Sequence, residues 1–261
     1  MAHPRADRDD AVWRRPSGRP SLRPDDVHLW VAELDGAGDL VDVLSPDELE
    51  RAERYRHPTD RARFVACRGV LRGLLASYLD RSPRAVRFAY GRQGKPTLDM
   101  ESSTLDLRFN ASRRGNLALY AVASGRDVGV DLEPVDPTFA TREVAERFFS
   151  PREVEALRAL PEVQQTEAFF HCWTRKEAYL KALGTGLSIP LDSFDVSLAP
   201  GAPPAILDAR GAAAAATHWS VHALDPAPGI VGALAVESGP TRLACWRWAR
   251  ATPARTEGVL A

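Results

Sequence analysis

An α+β fold built from two similar halves is what this sequence predicts, on three observations: a helix-start motif that occurs twice, a long helical pattern after each copy, and strand-like stretches around them. The motif is Ser45-Pro46-Asp47-Glu48-Leu49-Glu50 and again Ser150-Pro151-Arg152-Glu153-Val154-Glu155, an offset of 150 − 45 = 105 residues. In each copy the serine is the N-cap, proline takes the first helical position and a glutamate three residues after the cap completes a capping box, so leftover backbone amides find partners. Keeping the same offset pairs Phe64 with Phe169, Cys67 with Cys172, Leu75 with Leu180 and Arg72 with Glu177.

The second long helix is expected over Gln164 to Leu183, with Phe169, Phe170, Trp173 and Leu180 as its apolar stripe and Gly184 with Gly186 as its stop. Leu117 to Val122, a Ser124-Gly125-Arg126-Asp127 turn and Val128 to Glu133 read as a hairpin. Trp219 to Leu224, Ile230 to Val236 and Arg242 to Trp248 read as strands closing the second half, and the Ala-, Pro- and Gly-rich Leu198 to Thr217 as a loop. The resulting division is a flexible extension over 1–26, a first half over 27–123, a second over 124–248 and a flexible tail over 249–261.

With 34 basic and 35 acidic residues in 261, the chain has no global nucleic-acid signature. No apolar run approaches membrane-spanning length, and Met1 to Asp26 lacks the apolar segment of a secretory signal, so a cytoplasmic protein is expected. Cys67, Cys172 and Cys245 are odd in number and have no metal-ligand spacing, which reads as buried thiols.

The chemistry is carried by two segments. In Val128-Gly129-Val130-Asp131-Leu132-Glu133, strand alternation points Asp131 and Glu133 to one face while Val130 and Leu132 enter the core, and Gly129 leaves room beside them. In Trp173-Thr174-Arg175-Lys176-Glu177-Ala178-Tyr179-Leu180-Lys181, an i, i+4 spacing puts Glu177 and Lys181 on one helical face. Alone, the helix pair also fits a solvated ion pair of about 0.3 to 0.5 kcal/mol, and the strand pair a wet sheet face. Taken together, three hard oxygen donors and an ammonium suit a magnesium ion bound to a diphosphate better than an all-protein cage.

At these residues the sequence resembles the 4'-phosphopantetheinyl transferases of the larger, monomeric type, which modify carrier proteins of peptide and polyketide synthesis. The family motif G-x-D-x-E stands as Gly129-Val130-Asp131-Leu132-Glu133, and W-[ST]-x-K-E-x-x-x-K as Trp173 to Lys181. Upstream signatures are Gly94-Lys95-Pro96 and Phe109-Asn110-Ala111-Ser112, after which Arg113 replaces the usual histidine: a permanent, forked phosphate donor that does not titrate near neutral pH. The resemblance covers roughly Leu44 to Leu191.

It implies two halves related by a pseudo-twofold, with the active site between them. It implies coenzyme A as substrate, an apo acyl or peptidyl carrier protein as partner, and magnesium, or manganese in its place, held by Asp131, Glu133 and Glu177. Glu177 is then the base that activates the carrier serine, directly or through a water, Lys176 orients it, and Lys181 neutralises the attacked phosphate. Arg51 and Arg63 with Lys95 serve the adenosine and 3'-phosphate end, Ser112 and Arg113 lie nearer the phosphates, and Pro96 and Asn110 also bind coenzyme A. Two rivals use the same residues: a magnesium-dependent hydrolase of nucleotide diphosphates, and a non-catalytic binder of coenzyme A or carrier proteins.

Overall fold

The computed structural model describes residues 13–16, 18–91, 93–99, 105–209 and 218–250 as a mixed α+β protein, and carries the chain twice through a similar order of elements. The first pass is β1 (Asp26–Glu33), α1 (Pro46–Glu53), α2 (Pro58–Leu79), a short hairpin of β2 (Phe88–Tyr90) and β3 (Pro96–Leu98), then β4 (Leu107–Arg114) and β5 (Leu117–Ser124). The second is β6 (Val128–Pro134), α3 (Arg142–Phe148), α4 (Pro151–Arg158), α5 (Glu162–Leu183), β7 (Phe194–Val196) with β8 (Ile206–Ala209), then β9 (Trp219–Ala227) and β10 (Ile230–Glu237). β11 (Arg242–Arg247) follows. The sheets run β11-β1-β5-β4 and β6-β10-β9, so the edge order of the first strand and the hairpin is the same in both.

Four layers result. Leu71 and Leu75 of α2 pack on Trp30, Phe109 and Tyr120 of the first sheet. Val27, Leu29, Leu119 and Ala121 on its other face meet Val130, Leu132 and Leu234 of the second sheet. The far face of that sheet, with Ala233 and Ala235, carries Ala178 and Tyr179 of α5. Strands buried on both faces read as continuous apolar runs, which is why Leu117 to Val122 shows so little alternation.

Both capping boxes form, on Ser45 with Glu48 and on Ser150 with Glu153. Beyond them the expected register is off by one. α2 and α5 start at 58 and 162, an offset of 162 − 58 = 104, and both end on a left-handed residue, Asp80 and Gly184. The connection from α4 to α5 is one residue shorter than that from α1 to α2, so Arg72 corresponds to Lys176 rather than to Glu177.

The hairpin expected from Leu117 to Glu133 does not exist. β5 pairs with β1 and β4, whereas β6 pairs with β10, and Gly125 to Asp127 carries the chain from one sheet to the other. The true hairpin joins β4 to β5 through Gly115-Asn116, where Gly115 takes a φ of +54°. The expected loop from Leu198 contains β8, whose Ile206 is buried opposite Val196.

β11, expected to close the second half, instead lies parallel to β1 at the edge of the first sheet. Part of the N-terminal extension is held against β11: the Arg14 amide donates to the Cys245 carbonyl at 3.1 Å and Arg247 returns a bond to Arg14 at 2.7 Å. The remainder of that extension over 1–12, and the tail over 251–261, lie outside the described residues. No helix among the described residues is long and apolar enough to cross a membrane.

Candidate active site

Strand alternation in β6 sends Val128, Val130 and Leu132 between the sheets and turns Gly129, Asp131 and Glu133 toward α5. Gly129 is where helix and strand touch: a Cβ there would run into the Ala178 carbonyl and the Ala182 amide. That contact brings Glu177 and Lys181, one helical turn apart, over the strand's carboxylates. From the other side β4 presents Asn110, Ser112 and Arg114 on one face. Asn110 accepts the Val130 amide at 3.0 Å, which fixes β4 beside β6.

Asp131 is buried, and its Oδ1 accepts from Lys181 Nζ at 2.6 Å and from Ser112 Oγ at 2.8 Å; Lys181 also donates to Ser112 at 3.0 Å. Its Oδ2 is buried too, and no described residue donates to it. Glu133 is held in a fork by Arg114, Nε to Oε2 at 2.5 Å and Nη2 to Oε1 at 2.8 Å. Glu177 receives no hydrogen bond from a described residue. Burial, then the Asp131 charge, push its carboxyl above the usual range against the pull of Lys181. Glu133 is also raised, chiefly by burial, with Arg114 opposing. Three crowded carboxylates thus face two cations.

A cavity of about 280 Å³ opens beside this cluster, lined by Lys95, Pro96, Asn110, Glu177 and Lys181. Lys95 is clamped across it, Nζ donating to the Ala182 carbonyl at 2.8 Å and to that of Val128 at 3.4 Å, and burial lowers its pKa.

The other expected residues lie apart. Arg113 alternates to the opposite face of β4, its guanidinium 5.9 Å from the Tyr55 ring centroid; Tyr55 packs on Phe64, and Arg51 lies 5.8 Å from the Phe64 ring. Arg63 forks onto Asp35 with two bonds of 2.8 Å beside a groove that Tyr55 also lines. Lys176 does not reach Glu177's surroundings. It is fully buried in the second half's core, where Glu153 at 2.8 Å and the Leu191 and Phe194 carbonyls at 2.7 and 2.5 Å take all three of its donors. The expected orienting role is therefore corrected to a structural one: neighbours in sequence on a helix point about 100° apart. Arg114 was missed, although its place two residues after Ser112 on a strand puts both on the face toward β6.

No three acidic, His or Cys side chains among the described residues form a finished metal cluster. The donors nevertheless fit a hard dication: oxygen atoms only, a buried Asp131 Oδ2 without a hydrogen bond, and two carboxyls raised by burial and then by the Asp131 charge.

Residues 127–235 match the model of the 4'-phosphopantetheinyl transferase superfamily, and residues 29–125 that of the 4'-phosphopantetheinyl transferase N-terminal region. The chain is 43% identical over 220 residues to the 4'-phosphopantetheinyl transferase HetI of Nostoc sp., covering 83% of this chain and 90% of that one. It is 34% identical over 159 residues to the 4'-phosphopantetheinyl transferase Sfp of Bacillus subtilis, covering 61% and 68%. Among solved structures, the holo-[acyl-carrier-protein] synthase of Thermotoga maritima aligns with a TM-score of 0.33 and 23% identity over 44% of this chain and 64% of that one, too distant to carry an argument. The chain belongs to the 4'-phosphopantetheinyl transferase superfamily, in its larger, Sfp-like branch. It is an enzyme of that type.

Proposed function

We propose that this enzyme transfers the 4'-phosphopantetheine arm of coenzyme A to a serine of an apo acyl or peptidyl carrier protein of peptide or polyketide (antibiotic) assembly. The products are the holo carrier and adenosine 3',5'-bisphosphate. The observation that carries this reading is the meeting of Asp131, Glu133, Glu177 and Lys181 beside a cavity that Glu177 and Lys181 line. Asp131, Glu133 and Glu177 are the residues that would hold magnesium or manganese, which when bound neutralises the diphosphate and acts as a Lewis acid on it.

The chain's own residues do the rest. Glu177 takes the proton from the serine hydroxyl as the serine Oγ–P bond forms at the β-phosphate. The bond from that phosphorus to the oxygen bridging to the α-phosphate breaks, and the electron pair leaves on adenosine 3',5'-bisphosphate. Lys181, held by Ser112 and Asp131, supplies positive charge at the transferred phosphate. Lys95, Pro96 and Asn110 line the cavity for the nucleotide, while Arg51 beside Phe64 and Arg63 on the groove that Tyr55 lines serve its 3'-phosphate end; Arg113, expected with Ser112 nearer the diphosphate, joins them instead, because strand alternation turns it to the Tyr55 side of β4.

The repeated element order and sheet order further support an ancestral duplication, with halves built on β1 to β5 and on β6 to β10 related by a pseudo-twofold, β11 joining the first half's sheet, and the site between the halves. We take the working form to be a cytoplasmic monomer. The test is intact-mass spectrometry of an apo peptidyl or acyl carrier protein incubated with enzyme, coenzyme A and magnesium, beside a metal-free control. A metal-dependent gain of one phosphopantetheine arm is expected; no gain across several carrier classes, despite coenzyme A binding, would overturn the reading.

A further inference from the structure

Arg114 stands out because it takes both oxygens of a carboxylate assigned above to the metal. Its partner Glu133 is buried, its own side chain is 54% exposed, and it is the last residue of β4 before the Gly115-Asn116 turn. A guanidinium so placed can swing outward without disturbing the sheet. Lys181 differs: it occupies only Oδ1 of Asp131 and leaves Oδ2 open. A bidentate fork uses the paired, in-plane lone pairs of Glu133, which are those that a cation between Glu133 and Asp131 needs.

We propose that Arg114 and the divalent cation compete for Glu133, so that Arg114 weakens metal binding to the free enzyme and couples it to the arrival of the substrate diphosphate. This rests on the proposed metal role of Asp131, Glu133 and Glu177. Charge balance favours the exchange. Three carboxylates with Lys181 and Arg114 carry a net charge of −3 + 2 = −1. A dication added with both basic residues in place leaves the site at −1 + 2 = +1, whereas swinging Arg114 out returns it to zero. Once displaced, the guanidinium needs a new anion, and a diphosphate beside the metal offers one in the forked geometry that arginine favours. Metal and coenzyme A then each tighten the other, by the same factor.

The experiment is a titration of full-length enzyme with Mn2+, free Mn2+ being read by electron paramagnetic resonance, with and without coenzyme A. Wild type, Arg114→Gln and Arg114→Lys are compared. Arg114→Gln is expected to bind Mn2+ about three- to five-fold more tightly without coenzyme A, the loss of one partly exposed ion pair as competitor. The factor by which coenzyme A tightens Mn2+ should shrink toward one. Arg114→Lys, which keeps the charge but not the fork, should fall between. Melting in EDTA confirms folding, and a larger rise of melting temperature with magnesium in Arg114→Gln than in wild type is the second readout; a purely structural role would lower both curves equally. Unchanged or weaker Mn2+ binding in Arg114→Gln, with wild type active in transfer, overturns the competition alone. Wild type that binds no Mn2+ with coenzyme A present and transfers nothing overturns the metal assignment as well.

Discussion

Lys176 donates to Glu153 at 2.8 Å, both essentially without solvent contact, and 104 residues earlier Arg72 makes the matching contact with Glu48 at 2.5 Å. In both halves the capping-box glutamate therefore also neutralises a cation that the long helix buries. Glu153 accepts the Ser150 amide at 2.8 Å and the Val196 amide at 2.7 Å as well, so it knits α4, α5 and β7 into one unit. Removing one member of a buried pair leaves the other charge stranded, at a cost of about 3 to 5 kcal/mol. Lys176→Met is therefore expected to lower stability by that amount in chemical denaturation, while the transfer rate per folded molecule stays near wild type. A selective loss of turnover at full stability would return Lys176 to the catalytic machinery.

Glu177→Gln keeps the size and removes the base. Turnover is expected to fall by about two to four orders of magnitude, the usual worth of a positioned acid or base. Coenzyme A binding, followed by calorimetry, should weaken far less. Preserved turnover in the variant would remove Glu177 from the base role.

Gly129→Ala forces a methyl group into the backbone of α5 at Ala178 and Ala182. Helix and strand must separate, which moves Glu177 and Lys181 away from Asp131. A loss of about 1 to 3 kcal/mol in stability is expected, as for other overpacked cores. Transfer should fall further than stability alone explains when both are measured at a temperature where the variant is folded.

His28 links stability to pH. Burial depresses its pKa from 6.5 to about 4, with Asp26 opposing and Arg242 assisting. Its Nδ1 faces the Tyr78 hydroxyl at 2.8 Å, and that hydroxyl accepts from Trp30 Nε1 at 2.9 Å, so the chain of bonds fits a neutral ring accepting from Tyr78. Between pH 6.5 and 4 the unfolded chain binds a proton that the folded protein refuses, so stability falls as pH drops through this window, by up to about 3 kcal/mol. His28→Asn, which can still accept from Tyr78, should flatten the pH dependence of the melting temperature over that range. An equally steep fall in the variant would assign the acid sensitivity elsewhere.

What was legible in the sequence was what depends on short spacings. Asp131 with Glu133 follows from a period of two and Glu177 with Lys181 from a period of four, and both capping boxes lie within four residues. The Gly115-Asn116 turn carried an equally local signal, but the Ser124-Gly125 pair competed with it and masked the change of sheet. Arg114 looked like any charged residue at a strand end; its meaning depends on β6, which it meets only in the fold. The position of β11 had no local signal, because a strand shows its alternation without showing its neighbour.

That last strand has a consequence for the birth of the protein. Asp26 of β1 is partnered by Arg242, 242 − 26 = 216 residues later. At a synthesis rate of about 5 to 20 residues per second, β1 emerges with one edge bare for roughly 10 to 40 s before its neighbour is made. An uncovered strand of Val27, Leu29 and Val31 is an invitation to wrong pairing during that interval. The first half therefore cannot finish its sheet on the ribosome ahead of the second. A chain cut after β10 would leave that edge open for good.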